Sequence, residues 1–176
     1  MKVKLPATLS NIKLPFVRSK EVIGVDIGNY AIKVVQLKHS MGKWSLFRYA
    51  SEPIYTSPDT TAVTPAEKKQ IIVNAIKKLI SKNNITIKYA ATSVSGNSVI
   101  VRYIKLPKLT QQQLAKTIKV EAESYIPFPI QDVNIGFQII GDAMEDGEQK
   151  METLVVATKK EIIQQRIEIL VEAGLI

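Results

Sequence analysis

The chain has 176 residues, 45% hydrophobic and 23% charged, the composition of a folded globular protein with one compact domain or two small ones. It contains no Cys and a single His, His39, so disulfides and cysteine-ligated zinc are excluded, and His-based hydrolase triads nearly so. The net charge of +8 is unevenly spread: Lys2, Lys4, Lys13, Arg18 and Lys20 stand in residues 1–20 with no acid among them, which leaves +3 for the rest.

Residues 1–20 include Pro6 and Pro15 and keep no sustained period. They are expected to form a basic flexible arm, solvated or else attracted to anionic lipid or a partner. No apolar run reaches the roughly 18 residues of a spanning helix, and no secretory leader is evident, so a cytoplasmic location is expected. From Val22 to Gly28 a short apolar strand runs into a glycine turn. Strands over Ala31 to Leu37 and Lys43 to Ala50 follow, joined through His39, Ser40, Met41 and Gly42, and three strands this close predict an antiparallel meander. Trp44 alternates with Leu46 and is expected in the core, whereas His39 is expected in a solvated turn. Residues 51–63 read as a loop that ends at the capping box Thr64-Pro65-Ala66-Glu67. The helix it opens puts Ile72, Ile76, Leu79 and Ile80 on one face and ends near Asn83-Asn84. A strand over Lys88 to Val94 completes this part.

A strand over Ser98 to Leu106 is stopped by Pro107. Thr110 and Gln113 form a second capping box, and its helix aligns Leu114, Ile118, Ala122 and Tyr125 before Pro127 and Pro129 end it. Glu121 and Glu123 point to different faces of that helix, which argues against a catalytic carboxylate pair. Tyr125 and Phe128 are expected to pack the helix end onto the sheet or to form an apolar knob for a partner. Strands over Val133 to Ile140 and Met151 to Thr158 are joined by Gly141 to Lys150, where Asp146-Gly147 is a hairpin signal. Thr158 and Glu161 predict a third capping box, opening a helix with Ile163, Ile167 and Leu170 inward and Gly174 at its stop. Residues 98–176 are thus expected to be one compact α+β unit set after residues 21–97. An apolar segment is starting at Leu175-Ile176, as in a chain cut short.

The stretch with chemistry is Asp26-Ile27-Gly28-Asn29-Tyr30-Ala31-Ile32-Lys33. A turn between two strands presents backbone amides that grip phosphate. Gly28 admits an anion close to the backbone, Asn29 can donate from its amide, and Lys33 can return an ammonium to the same phosphates. Asp26 would then hold magnesium through water, since a carboxylate beside a phosphate calls for a cation. The plainer alternative is a closed hairpin, with Asp26 capping its own turn and Lys33 solvated. There is neither a Walker A sequence nor a Gly-x-Gly-x-x-Gly.

The segment Gly24 to Val35 resembles the first phosphate motif of the actin, Hsp70 and sugar-kinase superfamily. Within it, Val99-Ile100-Val101-Arg102 to Leu106-Pro107, the run Glu121 to Phe128 and the closing Ile169 to Leu175 are similar to the PilM family of type IV pilus assembly proteins, relatives of the division protein FtsA. The resemblance implies an actin-like (ribonuclease H-like) first lobe, with residues 21–97 as subdomain 1A and residues 98–176 as an FtsA-like 1C subdomain. It implies ATP with Mg2+ in the full-length protein, held by Asp26 for the metal, Gly28 and Asn29 for the phosphate loop and Lys33 for phosphate charge, with no catalytic residue assigned. Members commonly have Ser or Thr where Asn29 stands.

The resemblance further implies a cytoplasmic scaffold that docks the cytoplasmic N-terminal tail of the inner-membrane protein PilN, in a groove between 1A and 1C. The second phosphate loop and the adenosine motif would lie in a second lobe beyond Ile176, so the 176 residues alone are expected to bind ATP weakly or not at all and to be inactive. A sugar- or acetate-kinase-type phosphotransferase and an FtsA-like division protein are the alternatives. A nucleic-acid binder rests on net charge alone, and self-association stays open.

Overall fold

The computed structural model describes residues 21–54 and 64–176; the basic arm expected over residues 1–20 lies outside the described residues. Strands β1 (Val22–Ile27), β2 (Ala31–Ser40) and β3 (Lys43–Pro53) form the meander, followed by helix α1 (Pro65–Lys82) and strand β4 (Tyr89–Thr92). Then come β5 (Ile100–Pro107), α2 (Gln111–Glu121), β6 (Val133–Glu145), β7 (Glu148–Lys159) and α3 (Lys160–Glu172). Two sheets result, ordered β3-β2-β1-β4 and β5-β7-β6.

Local chemistry accounts for most of these elements. The Thr64 hydroxyl accepts from the Glu67 amide while the Glu67 carboxylate accepts from the Thr64 amide at 2.7 Å, and Pro65 starts α1 where no amide partner is needed. Thr110 and Gln113 do the same for α2. Both hairpin turns are two residues long with positive φ throughout, Met41-Gly42 at 49° and 72° and Asp146-Gly147 at 52° and 82°, which matches the strand twist. The strands therefore run further than expected, β2 to Ser40 and β6 to Glu145.

The first core packs Ile72, Val73, Ile76 and Leu79 of α1 against Ile23, Val25, Ile32 and Val34 of the sheet. Each such side chain contributes about 1.5–3 kcal/mol on burial. Strand β1 pairs antiparallel with β2 and parallel with β4, which lies at the sheet edge. The second core places Leu114, Ile118 and Ala122 of α2 on Ile104, Leu106, Val133, Met151, Val155 and Ala157.

Four expectations are corrected. Trp44 and Leu46 are exposed, because β1 pairs with β2 only as far as Gln36 and nothing among the described residues covers the hairpin beyond it. The third capping box does not form: Thr158 stays in β7, where its hydroxyl donates to the Ser98 carbonyl, and Lys159 begins α3 without a side-chain cap. Ile167 faces solvent, since the inward stripe of α3 passes through Ile163, Arg166, Leu170 and Ala173. Tyr125 is 42% exposed, and Ile126 closes the end of α2 in its place.

The grouping of residues 98–176 also differs in one part. Leu170, Ala173 and Leu175 belong to the first core, Lys69 of α1 is ion-paired with Glu168 and with Glu172 at 2.5 Å, and Ile176 exchanges backbone hydrogen bonds with Lys88 and Ala90. Helix α3 follows the second sheet in the chain, but its C-terminal end packs beside α1 in the first core.

Candidate functional site

Asp26 and Lys33 stand directly opposite each other in the β1–β2 register, so their side chains share one face of the sheet. That face is the one turned away from α1. The Lys33 Nζ lies 3.2 Å from Asp26 Oδ2, with the two side chains 64% and 60% exposed. An ion pair so open to water contributes about 0–1 kcal/mol, so it orders the two groups more than it stabilises the fold. The turn between them is tight: the Gly28 amide donates to the Ala31 carbonyl at 3.1 Å, and a Cβ at Gly28 would lie 3.1 Å from that same oxygen. Asn29 and Tyr30 are exposed at its tip, and the Tyr30 carbonyl accepts from the Ile54 amide.

A third charge reaches the turn from far along the chain. Arg166 of α3 donates from Nη1 to the Ile27 carbonyl at 3.3 Å. Burial lowers its pKa from the ordinary value while the Asp26 carboxylate acts in the opposite direction, and a guanidinium stays protonated throughout. One acid and two cations therefore meet beside the turn, which leaves a positive surplus. Below them, Thr92 donates to the Val25 carbonyl at 2.8 Å and ties β4 to β1. An open cleft of ≈ 590 Å³ lies on this face, lined by Gly24, Asp26, Lys33, Tyr49, Thr92 and Ser93 among others.

The structure thus brings Asp26, Gly28, Asn29 and Lys33 to one end of the sheet, with Asp26 and Lys33 in the cleft wall. The sequence reading missed Arg166. Its signal was a cation placed three residues after Ile163 and four before Leu170, inside a stripe that should otherwise be apolar. As for a metal, no group of three or more His, Asp or Glu side chains comes together among the described residues. A lone carboxylate such as Asp26 suits a magnesium ion that keeps most of its waters, and the surrounding donor set fits that mode only. His39 is exposed with its ring 4.7 Å from that of Trp44, and Lys159 lies 4.7 Å above the Phe128 ring.

The meander, the helix crossing to a strand parallel to the first and the second small sheet make up an actin-like fold, as the likeness to solved structures bears out. The cytoplasmic domain of EpsL, an inner-membrane component of the type II secretion system of Vibrio cholerae, has a similar fold, with a TM-score of 0.51 at 11% identity over 89% of this chain and 54% of that one. The model of the type IV pilus assembly protein PilM matches residues 24–176, and the chain belongs to that family. A solved PilM-PilN type IV pilus biogenesis complex is similar as well, with a TM-score of 0.70 and 30% identity over 89% of this chain and 45% of that one. The chain spans about half the length of these two structures.

Proposed function

We propose that this chain serves type IV pilus biogenesis as a scaffold that docks the N-terminal tail of a PilN-like inner-membrane protein at the cytoplasmic face of that membrane. The observation that carries the reading is its 30% identity, over 89% of its length, to a PilM-PilN complex. In this reading the tail docks between the two units, which Arg166 of α3 ties together through its bond to the Ile27 carbonyl. In the same reading the β1–β2 turn is one half of a site for ATP and Mg2+. Such a nucleotide supplies a conformational signal or a phosphoryl group. Toward it, Gly28, whose own amide is bonded to the Ala31 carbonyl, would admit a phosphate close to the turn, the Asn29 amide would donate to it, Lys33 and Arg166 would balance its charge, and Asp26 would hold the ion through water.

The test is binding of a fluorescent peptide with the cytoplasmic tail sequence of a PilN-like protein. Saturable binding with a Kd of about 1–100 μM, unchanged in Asp26→Ala, is expected. Absence of saturable binding overturns the docking assignment. Isothermal titration with Mg-ATP is expected to show weak or no binding by these 176 residues alone, since a site that touches only phosphates gains no apolar burial of the base. Turnover of a sugar or acetate in the presence of ATP would favour the kinase alternative.

A further inference from the structure

The end of the first sheet opposite the phosphate turn has a character of its own. Beyond Gln36, where the pairing with β1 ends, β2 and β3 continue alone through Leu37↔Leu46, Lys38↔Ser45, His39↔Trp44 and Ser40↔Lys43. Four pairs at about 3.4 Å each make a finger that projects roughly 14 Å from the sheet. Every residue from Leu37 to Phe47 is exposed, Met41 at the tip by 98% and Trp44 by 61%. Directly opposed residues share a face, so Leu37, Leu46, His39 and Trp44 line one side of the finger, and Lys38, Ser45, Ser40 and Lys43 the other.

The charge of the finger is of one sign. From Ile27 to Ser51 the sequence holds Lys33, Lys38, Lys43 and Arg48 and no acid. The cations lie against the apolar groups: the Lys38 Nζ is 3.5 Å from the centre of the Phe47 ring, with Arg48 5.5 Å from the same ring. Leu, Met and Trp on one side with Lys on the other is the pattern of an element that lies in a bilayer interface, its apolar side at the acyl boundary and its lysines reaching back to the headgroups. A neutral protein surface would not require cations without a single acid, whereas anionic headgroups complement them.

We propose that the β2–β3 finger is a membrane-interface anchor that inserts Met41, Trp44 and Leu46 into an anionic lipid surface while Lys38 and Lys43 contact the headgroups. This gives the chain its own contact with the bilayer, separate from any bound partner and from the phosphate turn.

Trp44 is the one Trp of the chain and reports its own environment. The intact 176-residue chain is mixed with vesicles of phosphatidylcholine alone or with about one third phosphatidylglycerol, at low salt so that surface charge is not screened. A blue shift of Trp44 emission and its quenching by brominated acyl chains are expected with the anionic vesicles only. Lys38→Glu with Lys43→Glu is expected to weaken partitioning about tenfold or more, and Met41→Ser with Leu46→Ser to weaken it while leaving the circular dichroism unchanged. Three outcomes overturn the proposal. In one, Trp44 emission does not move with anionic vesicles. In another, vesicles sediment the chain while Trp44 stays in water, so that binding runs through residues 1–20. In the last, the blue shift appears without vesicles and grows with protein concentration, which assigns the finger to a second copy of the chain.

Discussion

The two cores are built from different kinds of sequence. The second draws all its buried residues from one stretch, Ile104 to Ala157, closed by a hairpin and one helix. The first takes Ile23 to Ile85 and then, after the whole second unit has intervened, Leu170, Ala173 and Leu175. A core made of neighbours along the chain closes short loops, whereas one completed from the far end must close a long one before the last contacts form. The segment that completes the first core also delivers Arg166 to the β1–β2 turn. Folding of the first core and assembly of the site are therefore one event.

Deleting residues 160–176 tests this difference most severely. Loss of Leu170 and Leu175 removes about 1.5–3 kcal/mol each from a total of roughly 5–15. Methyl resonances of Ile23, Ile76 and Leu79 are expected to lose dispersion while those of Ile104, Leu114 and Val155 keep theirs. Collapse of both sets would show one cooperative unit. Next in size, Ile76→Ala and Leu114→Ala, both at fully buried positions, are each expected to cost about 2–5 kcal/mol in denaturant titrations. Amide exchange should rise in the first unit for Ile76→Ala and in residues 100–158 for Leu114→Ala.

The helix starts allow a finer comparison. Thr64→Ala and Thr110→Ala should each lower stability by about 1 kcal/mol, one in each unit. Glu161→Ala should change it by no more than a few tenths, because no box forms at α3. The smallest effect is in acid. The Lys78 ammonium bonded to Glu52, the Thr64 amide bonded to Glu67 and the Lys150 ammonium bonded to Glu145 hold these carboxyls below their ordinary value of 4.5. A folded pKa below the unfolded one contributes stability above the unfolded value and loses it as pH falls through the folded one. Tm is expected to be flat from neutrality to about pH 5 and to drop below about 4.5, with exchange rising first around Glu52 and Glu67, since two of the three carboxylates belong to the first unit. A Tm that rises on acidification would contradict this.

Much of the fold was legible because it rests on contacts only a few residues apart. The boxes at Thr64 and Thr110, the Asp146-Gly147 turn and the inward faces of α1 and α2 follow from period and capping. So does the opposition of Asp26 and Lys33, which needs only a tight turn between two short strands. Trp44 was assigned to the core because alternation separates the two faces of a strand without telling which face has a partner; here the partner strand ends at Gln36. The third box failed because Thr158 had a better acceptor 60 residues away in the Ser98 carbonyl.

By itself, the sequence determined where most strands and helices begin, which residues turn the chain and that Asp26, Gly28, Asn29 and Lys33 gather at one turn. Those are decided by backbone geometry and hydrogen bonds that span a few positions. Only the tertiary structure decided that α3 completes the first core, that Arg166 joins the β1–β2 turn from 139 residues away and that, among the described residues, the β2–β3 finger stands uncovered. Burial and charge pairing depend on what arrives in space from elsewhere in the chain, and no local pattern of residues carries that information.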